Sequence, residues 1–184
     1  MALRVRAALA GVKLIAKFDG RAWDLFDLSP AGFRHALLVP LILAPLQIGH
    51  RLFLFDPEKS GDFGLNVAGE VLNFVVSWLL FPFAMLYVVP LLGRAPRYFA
   101  LLVPYFWMQL PINLVISGLQ LLVDGGLLSA DVMGPLQLVM LAIYAVYGTF
   151  VAGVGLAVTT GAAFGLVVLD VVLELLLYQI LNAL

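Results

Sequence analysis

Two acidic residues stand inside an apolar stretch near the end of the sequence. Asp170 and Glu174 are one helical turn apart, and Tyr178 follows one turn later. A helix brings residues at this spacing onto one face. Charged groups inside a bilayer cost at least about 2.5–3.5 kcal/mol each on insertion scales. We therefore expect these carboxyl groups to face protein or water, or to stay protonated.

Polar side chains recur at comparable positions in two other apolar stretches. They are Gln109, Asn113 and Ser117 in one stretch and Glu70 and Asn73 in the other. The orientation inferred below places all of them between the bilayer centre and its outer side. Arg51 lies at the same level and is the expected counter-charge for Glu70 or Glu174. The sequence predicts a polar cavity or network at this depth.

Three interpretations of this intramembrane polar site stay open. The groups hold the helices together by mutual hydrogen bonds, at about 0.6–2 kcal/mol per contact. Alternatively, they form a site for a proton, a cation or a small solute. In the third interpretation they are a contact surface for another membrane protein.

Composition identifies the elements that position these residues. The chain has 184 residues, of which 64% are hydrophobic and 11% charged, whereas soluble domains carry about 25% charged residues. The pattern predicts an all-α, polytopic transmembrane helix bundle of about five spans, which form one domain over residues 29–184. The predicted spans are residues 30–54, 67–92, 97–123, 132–158 and 161–184. Each is long enough to cross about 30 Å of hydrocarbon.

The segment of residues 1–28 precedes the first span. Residues 2–18 are predicted to form an amphipathic interfacial helix, whose basic side contacts anionic lipid headgroups. At 100° per residue its basic side chains share a sector about 80° wide. They are Arg6, Lys13, Lys17 and Arg21. Lysines interrupt any apolar signal-peptide core, so we expect this segment to stay in the mature protein. Ser29 followed by Pro30 predicts a helix start.

The charges of the connecting segments predict the orientation. The N-terminal segment and the Arg94–Arg97 loop are basic, whereas the segment from Asp56 to Asp62 and the loop with Asp124 and Asp131 are mainly acidic. Because basic segments stay in the cytoplasm, we expect a cytoplasmic N-terminus and an outside C-terminus. A bacterial inner membrane is the expected location.

A series of small residues crosses the boundary between the last two spans. Gly153, Ala157, Gly161 and Gly165 follow one another at four-residue spacing. Such faces let helices approach closely. Packing within one chain and packing between copies both remain open.

Several classes of function lack support in the sequence. There is no cysteine, and the two histidines, His35 and His50, lie about 22 Å apart on one helix at 1.5 Å per residue. They cannot share a haem or a catalytic metal. Phosphate-binding, dinucleotide-binding and nucleophile-elbow motifs are missing as well. We expect no enzymatic activity and no cofactor, and the net charge of -1 argues against a nucleic-acid partner.

The layout resembles the Yip1-type membrane proteins. The features that carry this resemblance are the N-terminal segment, five closely spaced helices with short loops and the stretch Ala142 to Leu169. In that stretch a helix with tyrosine and glycine passes through a tight turn into an apolar last helix. The resemblance covers about residues 30–184 and carries no diagnostic motif. It implies a role in membrane organisation or trafficking.

These observations favour a non-enzymatic membrane protein that acts by association, as a homo-oligomer or as a subunit of a membrane complex. One alternative is a small channel or transporter that uses Asp170 and Glu174, with Gln109 and Asn113 along its path. A second alternative is lipid binding or membrane shaping through residues 2–18. Membrane lipids, a second copy or other membrane proteins are the expected partners.

Overall fold

The computed structural model describes residues 2–53 and 62–182, and within these ranges the chain forms seven α-helices. They are α1 (Ala2–Ile15), α2 (Pro30–Ala36), α3 (Leu38–Phe53), α4 (Phe63–Leu91), α5 (Tyr98–Asp124), α6 (Met133–Leu156) and α7 (Thr160–Asn182). Short 3-10 helices cover Gly20–Leu25, Ala95–Arg97 and Ala130–Val132. The predicted all-α architecture is confirmed.

Five helical segments of the described chain are long and apolar enough to cross a membrane. They are Pro30–His50, Phe63–Leu91, Ala95–Asp124, Ala130–Leu156 and Thr160–Ile180. Their mean hydropathy lies between 1.4 and 2.1. The chain is therefore a polytopic membrane protein with a helical bundle.

The first predicted span is a pair of helices rather than one continuous helix. It begins as predicted, because the Ser29 hydroxyl accepts a hydrogen bond from Gly32 N at 3.1 Å and Pro30 occupies the first turn. Helix α2 then ends at Ala36, four residues before Pro40. Proline lacks the N–H that would bond to the carbonyl four residues earlier, and its ring clashes with that carbonyl. The break at Leu37 follows from this restriction.

Helix α5 is the central element of the bundle, in contact with α1, α2, α3, α4 and α6. Its residues from Leu101 to Met108 are all buried. Trp23 of the first 3-10 helix donates to Ala100 O at 2.8 Å, which fixes the N-terminal segment against this half of α5. The opposite half of α5 carries the polar residues.

The turn between α6 and α7 lies at residues 157–159, close to the predicted position. Ala157 is in the left-handed region with φ 51°, and Val158 N donates to Gly153 O at 3.2 Å. This bond from the second residue past the helix is that of a Schellman motif, in which glycine is the usual left-handed residue. The motif reverses the chain within three residues, so α6 and α7 pack side by side.

The N-terminal segment packs on the bundle along one side. Helix α1 ends at Ile15, three residues before the predicted boundary, and Ala8 and Ile15 are buried against α5 and its neighbours. Tyr147 OH donates to Ala16 O at 3.2 Å, and the Tyr147 ring stacks on Phe18 with centroids 4.9 Å apart. The opposite side of α1 is exposed.

The four predicted headgroup-contacting bases are all exposed. Arg6 and Lys13 lie on α1, whereas Lys17 and Arg21 follow its last residue, and the contact of all four with lipid headgroups stays a prediction. The Arg21 guanidinium pairs with the Asp19 carboxylate at 2.5 Å and lowers the pKa of that carboxyl to about 2. The charge of Arg21 is therefore already matched.

The predicted small-residue series does not pack the two helices together along its whole length. A Cβ at Gly153 would lie 3.7 Å from Ala163 Cβ, but one at Gly161 or Gly165 would meet nothing within 4 Å. Within the described residues these last two glycines therefore make no close helix contact. Gly155, outside the series, brings α6 close to the backbone of α5: its Cβ would lie 2.7 Å from Ala100 O.

Substitution of Gly155 tests this approach between α6 and α5. We expect Gly155→Ala to destabilise the protein by about 1–3 kcal/mol, because the added methyl group overlaps a backbone oxygen. Gly161→Ala is the matched control, with an expected change within about 0.5 kcal/mol. Thermal denaturation in detergent, followed by the monodisperse fraction, measures both. Equal midpoints for the two variants would contradict the packing described.

Candidate functional site

Asp170 is buried at the middle of α7 and is 4% exposed. Its Oδ2 accepts hydrogen bonds from two phenols, Tyr105 OH on α5 at 2.9 Å and Tyr144 OH on α6. Gln109 Nε2 donates to Tyr105 OH at 3.1 Å. Hydrogen bonds to a charged acceptor are stronger than neutral ones and compensate for the loss of water. Two neighbouring helices, α5 and α6, thus supply the partners of this carboxyl group on α7.

Glu174 lies one turn further along α7, beside Ser77 of α4. It is less buried than Asp170 and faces the same cavity. The two carboxyl groups therefore present a pair of acceptors on one side of that cavity. Their proximity to each other makes a bound positive charge favourable there.

Amide side chains complete the polar wall on the side of α3 and α5. Gln47 Nε2 donates to Asn113 Oδ1 at 2.9 Å, and Asn113 Nδ2 donates to Gln109 O at 2.9 Å. Gln47, Gln109 and Asn113 all line the cavity wall. The bond between Gln47 and Asn113 also joins the first span to the central helix.

A cavity of about 560 Å³ lies between α4, α5, α6 and α7, with Gln47 of α3 at its edge. Its polar lining is Gln47, Ser77, Tyr105, Gln109, Asn113, Gln137, Tyr144, Asp170 and Glu174, and its apolar lining is Trp78, Ile112, Ile116, Met140, Leu141, Val171 and Leu175. We call it the main cavity. Small-molecule sites commonly have volumes of about 300–1,000 Å³ and a mostly apolar wall with a few polar groups.

A second cavity of about 260 Å³ adjoins the main cavity, and we call it the vestibule. Its polar lining is Gln47, His50, Glu70, Asn73, Ser77, Ser117 and Gln120. Gln47, Ser77, Trp78 and Ile116 line both cavities. The vestibule lies toward the end of the bundle where α5 ends and α4 begins. His50 Nε2 and the Asp124 carboxyl group are in hydrogen-bonding contact at this end.

Most of the predicted polar residues come together in these two cavities. Asp170, Glu174, Gln109 and Asn113 line the main cavity, and Glu70, Asn73 and Ser117 line the vestibule. Tyr178 lies on the same face one turn beyond Glu174, near the end of α7, where it lines neither cavity and is 69% exposed. The side chain of Arg51 lies outside the described part of the structure.

Two residues that contact Asp170 were not predicted from the sequence. Tyr105 lies one turn before Gln109 on the same face of α5, so the polar pattern extended by one turn indicates it. Tyr144 lies in a mostly apolar helix, two turns after Gln137 and three residues before Tyr147, and the sequence analysis did not single it out. Only the packing of α6 against α7 brings its hydroxyl group to the carboxylate.

The main cavity places aromatic rings beside its two carboxyl groups. Within the described residues, no group of three or more histidine, cysteine, aspartate or glutamate side chains is placed to hold a metal. The main cavity instead combines two carboxyl groups with the rings of Trp78, Tyr105 and Tyr144. Aromatic faces attract cations, and more strongly where water is excluded.

Comparisons with known proteins add no assignment: no family model, no curated protein and no solved structure matches the chain. The Yip1-type resemblance therefore has no support from a family match. The residues of the site alone carry the functional argument.

The hydrogen bond from Tyr144 to Asp170 can be tested by a double-mutant cycle. We expect Tyr144→Phe to destabilise the protein by about 1–3 kcal/mol, because a buried carboxylate loses a donor. With Asp170→Leu already present, the same change has a much smaller effect. Tyr147→Phe is the matched control, since its hydroxyl bonds only to Ala16 O at the exposed side. Additive effects of Tyr144→Phe and Asp170→Leu in thermal denaturation would show that the two groups do not interact.

Proposed function

We propose that this protein is a non-enzymatic membrane carrier or channel that binds a small organic cation in the main cavity. The observation that carries the proposal is the convergence of Asp170 and Glu174 with aromatic and amide side chains in one space of about 560 Å³. This is the transport alternative of the sequence interpretation, with a narrower ligand class.

The charge of the lining supports a cationic ligand. Among the described residues that line the main cavity, two are acidic and none is basic. Carboxyl groups at this depth are costly to place in a bilayer. A bound cation offsets that cost, whereas an anion increases it. The ligand therefore has a positive charge near Asp170 and Glu174.

The apolar part of the lining supports an organic rather than an inorganic cation. Trp78 stands at the junction of the two cavities, and Met140 and Leu141 form the facing wall. An ion that keeps its water gains nothing from such surfaces, but a methylated or aromatic cation buries apolar area against them. The amides of Gln109 and Asn113 orient the polar part of the ligand.

Binding is measured with the purified protein in lipid nanodiscs, with ethidium, tetraethylammonium and choline as probe cations. Quenching of tryptophan fluorescence reports occupancy beside Trp78. We expect at least one probe to bind, and Asp170→Asn to weaken it at least about thirtyfold, since loss of one partner of a buried charge pair costs about 2–5 kcal/mol. Glu174→Gln weakens binding less, because Glu174 is less buried.

Asp131→Asn is the matched control for these variants. Asp131 is an exposed acid outside both cavities, so its neutralisation leaves binding unchanged. If none of the three probes binds the wild-type protein, the proposal is wrong. In proteoliposomes, a flux that Asp170→Asn abolishes in a normally assembled protein identifies transport.

Association with a second copy is the other candidate, and the exposed glycines favour it. Gly161 and Gly165 stand on the outer side of α7, where a Cβ would meet nothing within 4 Å. A helix surface without side chains at these positions lets another helix approach closely. A contact of this kind could equally join the protein to another membrane protein as an accessory subunit. The same contact would serve the membrane organisation that the Yip1-type resemblance implies.

Light scattering of the protein in mild detergent tests this association. We expect the wild-type protein to be a dimer or larger, and the double variant Gly161→Leu with Gly165→Leu to be monomeric, because the leucines hold the helices apart. Gly134→Leu, at an exposed glycine on α6, is the control. A monomeric wild-type protein would exclude this mode of association.

The distribution of charge supports an orientation with α1 in the cytoplasm. Arg97 lies at the end of the bundle where α5 begins, and its Nη1 donates to Gly155 O at 3.3 Å. The basic N-terminal segment lies at the same end. Asp62 and Asp124 mark the opposite end. By the positive-inside rule the basic end is cytoplasmic, so the vestibule faces outside. A bacterial inner membrane remains the proposed location, and lipid headgroups are the proposed partners of the exposed bases on α1.

A further inference from the structure

A narrow apolar groove of about 240 Å³ lies between α1, α5 and α6, and we call it the side groove. Apart from Tyr147, every residue that lines it is apolar. It opens to the outside of the bundle, because Pro111 is exposed and Val115 is 49% exposed. A space with this lining suits a hydrocarbon chain, which gains free energy from each apolar contact.

Two helical stretches form the long walls of the side groove. They are residues 108–115 of α5 and residues 140–147 of α6. Gly155 near the end of α6 lies against Ala100 near the start of α5, so the two helices run in opposite directions and the stretches lie side by side. Each stretch extends over about 10 Å at 1.5 Å per residue. The side groove is therefore long and narrow, as a single chain requires.

The last turn of α1 borders the side groove from the third side. Val12, Ile15 and Ala16 line it there. Tyr147 OH donates to Ala16 O at 3.2 Å, which fixes the end of α1 at the end of the groove nearer to the basic end of the bundle. The other end of the groove, at Val115, points further into the membrane-spanning part of α5.

Two exposed lysines lie beside this border. Lys13 follows Val12, and Lys17 follows Ala16. Within the described part of the chain neither lysine forms an ion pair, whereas Arg21 is matched by Asp19. Lysine stems lie along apolar surfaces and carry the ammonium group toward water. Positive charge thus stands at one end of an apolar groove.

The cation proposed for the main cavity does not fit the side groove. Ile112 and Met140 line both spaces, so the groove backs onto the wall of the main cavity. No acidic residue lines the groove, and Lys13 and Lys17 repel a cation at its open side. The charge beside the groove favours an anionic occupant with an apolar part.

We propose that the side groove holds one acyl chain of an anionic phospholipid whose phosphate group contacts Lys13 and Lys17. The inference rests on the headgroup contact proposed for the exposed bases of the N-terminal segment, which it extends to a complete lipid site. It does not depend on cation binding in the main cavity. Lysines near the membrane surface attract anionic lipids, and the buried chain adds affinity with each methylene group.

Native mass spectrometry of the delipidated protein in mild detergent counts the bound lipids. Phosphatidylglycerol and phosphatidylcholine with the same acyl chains serve as the anionic and the zwitterionic probe. We expect one phosphatidylglycerol molecule to bind at least about tenfold more tightly than phosphatidylcholine, since each nearby lysine favours the anionic headgroup. Glycerol phosphate, which has the phosphate group but no chain, does not displace it.

A double variant tests the role of the two lysines. We expect Lys13→Gln with Lys17→Gln to weaken the binding of phosphatidylglycerol about tenfold and to leave that of phosphatidylcholine unchanged. Arg34→Gln with Arg94→Gln is the matched control, because it removes the same charge from exposed positions outside the side groove. Equal losses in the two double variants would show attraction by net charge alone and would overturn the site.

A pair of neighbouring substitutions on α5 tests the side groove. Val115 lines it and Leu114 does not, although the two are 49% and 46% exposed. We expect Val115→Phe to weaken both lipids by the same factor, about tenfold, because its ring takes the place of chain methylenes that contribute about fourfold each. Leu114→Phe leaves both affinities unchanged.

Ala16→Phe fills the side groove from the other side and has the same expected result as Val115→Phe. Ala16 is exposed and lies outside α1, so the ring displaces no buried side chain. Thermal denaturation beside Leu114→Phe shows that each variant is folded. Loss of lipid in a variant with an unchanged midpoint is therefore a loss of the site.

The outcomes separate the headgroup contact from the lipid site. If the lysine variant loses phosphatidylglycerol but both groove variants behave like Leu114→Phe, the headgroup contact stands and the lipid site is wrong. If the two lipids bind the wild-type protein equally, or glycerol phosphate displaces phosphatidylglycerol, an anionic phospholipid is not the ligand. No probe cation enters these measurements, so the cation site of the main cavity stands or falls separately.

Discussion

The structure depends on the burial of one carboxyl group in a helix that must stand in a membrane. Asp170 is buried in the middle of a helix long and apolar enough to span a membrane, so neighbouring helices have to supply its hydrogen-bond donors. Tyr105 and Tyr144 do so from α5 and α6. Each tyrosine ring has a fixed length and its hydroxyl group donates in a preferred direction, so the two hydrogen bonds set the spacing between α5, α6 and α7. The same two tyrosines also line the main cavity beside Asp170.

The half of α5 toward the basic end forms the support for this arrangement. Its buried residues contact the N-terminal segment on one side and α4 on the other. Phe106 is fully buried and meets Phe33 at 5.5 Å and Trp78 at 5.7 Å between ring centroids. Aromatic packing of this density positions Tyr105 one residue earlier on the same helix. The other half of α5 is less buried and carries the amides, so one helix serves as core at one end and as polar wall at the other.

Much of this fold could be predicted from sequence, because hydrocarbon thickness sets helix length and leaves few alternatives. The helix start at Ser29 and the turn near residue 158 follow from local chemistry. The polar faces around Asp170 and Asn113 follow from helical spacing. The break at Leu37 comes from the steric effect of Pro40 on the preceding turn. A count of apolar residues gives the length of the span but does not predict this break. Tyr144 could not be predicted, since its role arises only from how α6 and α7 pack.

The glycine pattern shows why spacing alone is a weak guide to helix contacts. Gly161 and Gly165 have the expected interval but stand on the outer side of α7. Gly155 does not belong to this four-residue series, yet it lies against the backbone of α5 at Ala100. The turn at Ala157 rotates α7 relative to α6, so a series that is continuous in sequence becomes two separate faces in space.

The bond between Tyr147 and the Ala16 carbonyl joins residues 131 positions apart. During synthesis the segment around Ala16 therefore emerges long before the helix that will hold it. Four spans have to be inserted before Phe18 can meet Tyr147 and Phe150. The final position of α1 beside the bundle is therefore fixed by a helix that the ribosome makes more than a hundred residues later.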